Sequence, residues 1–129
     1  MNLLPRILVL AVMLEHVWFL VLEMFLWTKP LGLKTFRMSP EKAQASATLA
    51  ANQGLYNGFL AAGLLWGLVS GSAELALPVT VFFLACVVVA GVFGAATVSP
   101  RVFFVQALPA VLALLALLAA QNGLIGAPS

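Results

Sequence analysis

The chain has 129 residues, 64% of them apolar and only 8% charged, with six Lys/Arg against four Glu. A soluble domain is about half apolar and about a quarter charged, so both a soluble globular domain and a disordered chain are excluded. The net charge of +2 is spread without a Lys/Arg block, which gives nucleic acid no footprint, and the single cysteine, Cys86, excludes an internal disulfide.

Four apolar runs follow one another, and each is long enough to cross about 30 Å of hydrocarbon as a helix. The first, about 4–27, carries three ionisable residues, Glu15, His16 and Glu23. It resembles a signal peptide only superficially: it is too long, and no small-residue cleavage site follows its core. It reads as a retained helix. At 100° per residue, His16 and Glu23 lie within about 20° of each other, with Glu15 to one side. Counting from Arg6, His16 is expected near the midplane and Glu23 in the cytoplasmic third.

The first connection, 28–47, is the only long one, and it reads as a loop. Ser39 followed by Pro40 predicts a helix start, with Ser39 as N-cap. The second helix is expected over about 40–70. It carries Asn52, Gln53, Tyr56 and Asn57 on one expected face and Ala51, Gly54, Gly58 and Ala62 on the other. Asn57 and Tyr56 are expected near the depth of His16, and Asn52 and Gln53 nearer Glu23. The third run, about 75–98, holds Cys86, read as a small buried hydrophobe, and the small-residue pairs Ala90/Gly94 and Gly91/Ala95. The fourth, about 102–120, holds Gln106, and Pro109 predicts a kink there. Short loops after the second and third runs make neighbours antiparallel.

The fold class is therefore all-α: a single domain over 1–129, a four-helix transmembrane bundle of up-down topology. Lys29, Lys34, Arg37, Lys42 and Arg101 lie in the first and third loops, against Arg6 on the other side. Loops 28–47 and 99–101 are thus expected in the cytoplasm, with both termini outside, in the inner membrane of a bacterium.

Ionisable groups at bilayer depth cost several kcal/mol unless paired or wetted, by about 2.5–3.5 kcal/mol on insertion scales. Eight residues form the candidate pocket: Glu15, His16, Glu23, Asn52, Gln53, Tyr56, Asn57 and Gln106. Two carboxylates, an imidazole and amides suit a proton, a cation or a polar small molecule. Amides are also common glue between membrane helices. One His and these spacings match no metal motif, and no cofactor is implied. The reading is a small polytopic membrane protein that binds or moves a small molecule or proton. The alternatives are a membrane-embedded enzyme with isomerase-like acid/base chemistry on a small apolar substrate, and an accessory subunit of a membrane complex. The partners expected are the lipid bilayer, a small-molecule ligand and further copies of the chain.

The polar stretches also carry a family resemblance. Glu15-His16-Val17-Trp18-Phe19 with Leu22 to Pro30, then Ala50 to Phe59, Ala90 to Thr97, and Val105-Gln106-Ala107-Leu108-Pro109 resemble four blocks of a bacterial membrane family catalogued as domain of unknown function 1304. The resemblance covers Glu15 to Pro109 and implies a small four-helix integral membrane protein. It brings no activity with it. Size and a Glu in the first helix are similar to the small multidrug-resistance exporters, from which the charge bias and the long first loop depart. Leu55-Tyr56-Asn57-Gly58 is similar to the second helix of haem-containing styrene oxide isomerases, with Ala51 where their haem-ligating His would stand.

Overall fold

The computed structural model describes residues 1–126, which are helical throughout apart from turns, with no strand among them. The elements are α1 (Leu3–Met24), α2 (Pro30–Phe36), α3 (Pro40–Val69), α4 (Ala73–Thr97), a π-helical segment (Phe103–Ala107) and α5 (Leu108–Gln121). Among the described residues, three stretches are long and apolar enough to cross a membrane: Leu3–Met24, Ala73–Thr97 and Phe103–Gln121. α3 has length to spare at 30 residues. It falls outside that apolar set because Asn52, Gln53 and Asn57 dilute it.

Among the described residues, five α-helices stand where four were expected. α1 stops at Met24, so Trp27 lies in the turn that follows. The connection read as a loop contains α2, with Pro30 at its first position after an extended Lys29. Proline suits that position because its missing N–H has no partner there in any case. α2 closes on Arg37 in the left-handed conformation (φ 52°), and the amides of Arg37 and Met38 both return to the Leu33 carbonyl. The next helix starts where Ser39-Pro40 predicts: the Lys42 amide donates to Ser39 Oγ at 3.2 Å.

The irregularity expected from Pro109 lies one turn earlier. Over Phe103–Ala107 the helix widens, and the Leu108 amide reaches back five residues to the Phe103 carbonyl. A π turn of this kind takes up the disruption that a proline lacking N–H imposes, without breaking the helix.

The chain divides into two compact units, residues 1–13 with 62–129, and residues 14–61. In the first unit α4 packs on the π segment and α5. Small residues set the spacing: a Cβ on Gly91 would lie 2.7 Å from both the Ala107 nitrogen and its Cβ, and one on Gly67 would overlap the Thr80 hydroxyl. Val9, Val12, Leu64, Leu84, Val87 and Leu117 fill its core. Arg6 Nη2 donates at 3.3 Å to the Leu68 carbonyl, so a cation meets the C-terminal end of α3, where the helix dipole favours it. On α4, Phe82, Val89 and Phe93 are 62–69% exposed and fall within about 40° on the helix. An apolar stripe of that kind suits lipid better than water. Cys86 is a free thiol, half-buried rather than buried.

In the second unit the later part of α1 runs beside the earlier part of α3. Trp27 Nε1 donates to Ser46 Oγ at 3.1 Å, and Ser46 in turn donates to the Lys42 carbonyl at 2.7 Å. The Trp27 ring also meets Phe36 of α2, at 4.7 Å between centroids. This contact ties α1, α2 and α3 together at one end of the unit.

Candidate functional site

The polar residues of α3 do not share one face. Ala50, Gly54, Asn57 and Ala61 are all buried. They recur at steps of four, three and four residues, the spacing of one helix stripe. Asn52, Gln53 and Tyr56 are exposed. The expected polar face is therefore divided: Asn57 lies among the small residues, and Asn52, Gln53 and Tyr56 do not face inward. Asn52 Nδ2 donates to Tyr56 Oη at 3.1 Å, one turn along the same helix.

Gly54 explains how Asn57 reaches its partner. A Cβ there would stand 2.7 Å from Met24 Cγ, 3.1 Å from Glu23 Cβ and 3.3 Å from the Leu20 carbonyl. The α3 backbone thus touches α1 at Glu23, as small residues permit. One turn further, Asn57 Nδ2 donates to Glu23 Oε1 at 3.0 Å. Asn57 is only 8% exposed. The partner expected for Asn57 was the depth of His16; the observed one is Glu23, two turns away along α1.

Glu23 Oε2 is buried and has no hydrogen-bond partner among the described residues. A buried oxygen left unpaired costs about 1–3 kcal/mol, more for a charged group. A buried polar group of this kind is uncommon in native folds, where the great majority are hydrogen-bonded. His16 is fully buried, its ring edge-on to Phe19 at 5.3 Å between centroids. Glu15 is half-buried. His16 and Glu23 are seven residues apart, a rise of about 10 Å, too far for direct proton transfer between them. Gln106 belongs to the other unit, half-buried in the π segment.

Two features escaped the sequence reading. Thr80 is fully buried, and its hydroxyl is turned back to the Ala76 carbonyl at 2.7 Å, against Gly67. A cavity of about 240 Å³ in the first unit lies between Met1, Asn2, Ala76, Leu77, Leu117 and Gln121, and none of their side chains is charged. No group of three His, Cys, Asp or Glu able to hold a metal occurs among the described residues.

A family profile described as protein of unknown function (DUF1304) matches residues 10–118, which include Glu15, His16, Glu23, Gly54, Asn57 and Gln106. The chain is also similar to the uncharacterized protein YpaA of Lactococcus lactis subsp. lactis (strain IL1403). The two are 31% identical over 117 residues, which cover 89% of this chain and 97% of that one. No solved structure matches. A match over most of the chain, bracketing the Glu23–Asn57 pair and the glycine that brings it together, places the protein in the DUF1304 family.

Proposed function

We propose that this is a four-span protein of the bacterial inner membrane in which Glu23 takes up a proton, or the cationic group of a small molecule, at an intramembrane polar site. The observation that carries the reading is the half-occupied carboxylate. Asn57 holds Oε1 at 3.0 Å, and the buried Oε2 is left to accept. Asn57 acts as the positioning donor. Glu15 and His16 extend the polar side of α1.

In this reading α3 is the fourth span. Thirty residues rise about 45 Å, ample for the hydrocarbon core. Residues 28–47 and 99–101 face the cytoplasm, because five of the six Lys/Arg lie there.

Proton flux tests the proposal. The protein is reconstituted in vesicles containing a pH-sensitive dye, and a potassium diffusion potential is imposed. Wild-type protein is expected to move protons, and Glu23→Gln to reduce the flux to that of protein-free vesicles. Flux in Glu23→Gln equal to wild type overturns it, and none in wild type overturns the proton as the species taken up.

A further inference from the structure

We infer that the exposed polar seam of α3 joins this chain to a second copy of itself. The inference rests on the reading of α3 as a membrane span. Leu49, Asn52, Tyr56 and Phe59 are all exposed, and they recur at steps of three, four and three residues. That is the seam by which two helices interlock side by side. Gln53 flanks it, also exposed.

The polar groups on this seam are incompletely satisfied within one chain. The Asn52–Tyr56 bond uses one amide hydrogen of Asn52. Its second hydrogen, its carbonyl oxygen and the Tyr56 hydroxyl hydrogen remain, and the Gln53 side chain makes no hydrogen bond among the described residues. Water would serve these groups in solution. Hydrocarbon does not, and amides on a span are paired across helices.

The chemistry of the seam selects the partner. From Ala43 to Val69 α3 carries no charged residue, so nothing calls for an acidic or basic helix opposite. An amide is both donor and acceptor and therefore complements itself. A two-fold contact places the same seam on both sides, so Asn52 and Gln53 of each copy meet amides of the other. A single Asn on such a seam also fixes register. The apolar ends, Leu49 (74% exposed) and Phe59 (56% exposed), pack around the amide centre.

The test is energy transfer between donor- and acceptor-labelled protein in vesicles, across a series of lipid-to-protein ratios. Wild type is expected to form dimers, and Asn52→Leu/Gln53→Leu/Tyr56→Phe to weaken them about tenfold or more with the helical circular dichroism retained. Asn52→Gln keeps an amide and is expected to dimerise. Should the triple variant misfold, Asn52→Leu alone gives a smaller shift in the same direction. In a Cys86→Ser background, Leu55→Cys reports separately on the span. Its protection from an impermeant maleimide with monomeric wild type overturns the interface alone. Its labelling from water overturns the span reading and the interface with it. Equal dimerisation of wild type and triple variant also overturns the interface.

Discussion

Asn57→Leu is expected to destabilise the protein by about 1–3 kcal/mol, read as a lowered melting temperature in detergent. The side chain is similar in size, so little of the effect is packing. What is lost is the amide N–H that Glu23 Oε1 accepts at 3.0 Å. Glu23 Oε2 has no partner already, so the variant leaves a buried carboxyl with neither oxygen bonded. Two companions isolate that cause. Glu23→Gln keeps a carbonyl for Asn57 and is expected to fold as well as wild type. Glu23→Leu/Asn57→Leu removes both partners and is expected to be more stable than Asn57→Leu alone, with a coupling of about 0.5–3 kcal/mol. Additive effects of the two single changes would show that the pair does not form.

The second large effect is expected at Gly91. An alanine there gains up to about 1 kcal/mol of helix propensity over glycine. Against this, its Cβ would stand 2.7 Å from the Ala107 nitrogen and 2.9 Å from its Cα. Those atoms are backbone and cannot rotate away. α4 and the π segment must separate, and overpacking of this kind costs about 1–3 kcal/mol. The loss therefore exceeds the gain, and Gly91→Ala is expected to lower the melting temperature. Gly58→Ala is the contrast. Its Cβ meets only Leu20 Cδ1, at 2.8 Å, the flexible end of a side chain. Gly71→Ala meets nothing within 4 Å. The expected order of stability is Gly71→Ala and Gly58→Ala near wild type, with Gly91→Ala well below. An equal loss at Gly58 and Gly91 would contradict the close backbone approach.

Composition and run length were enough to predict an all-helical chain, because hydrophobicity sustained over about 20 residues has few other structural outcomes. The Ser39-Pro40 start was legible for a local reason: cap and proline act within one turn. α2 was not legible. Seven residues are too few to show a period, and Lys29, Lys34 and Arg37 make the segment look like an ordinary charged loop. The polar groups of α3 were legible as residues but not as faces. Grouping amide with amide placed Asn57 beside Asn52 and Gln53. Following the buried stripe from Ala50 through Gly54 to Ala61 places it instead against Glu23. The fault lies in sorting by chemistry before sorting by angle. The π segment has a similar origin: Pro109 announces a disturbance, but which preceding turn absorbs it depends on packing against Gly91.

The central claim is that a carboxylate of α1 and an amide of α3 are held together inside the membrane. Magic-angle-spinning NMR on the protein in lipid bilayers tests it most directly, by recoupling the Glu side-chain carboxyl carbon to the Asn side-chain nitrogen. Four Glu make the labelling sparse, and Glu23→Gln assigns the signal. The account predicts a dipolar coupling between Glu23 Cδ and Asn57 Nδ2, as a hydrogen bond of 3.0 Å from Asn57 Nδ2 to Glu23 Oε1 requires, lost in Asn57→Leu. A Glu23 carboxyl with no coupling to any Asn side-chain nitrogen would contradict it.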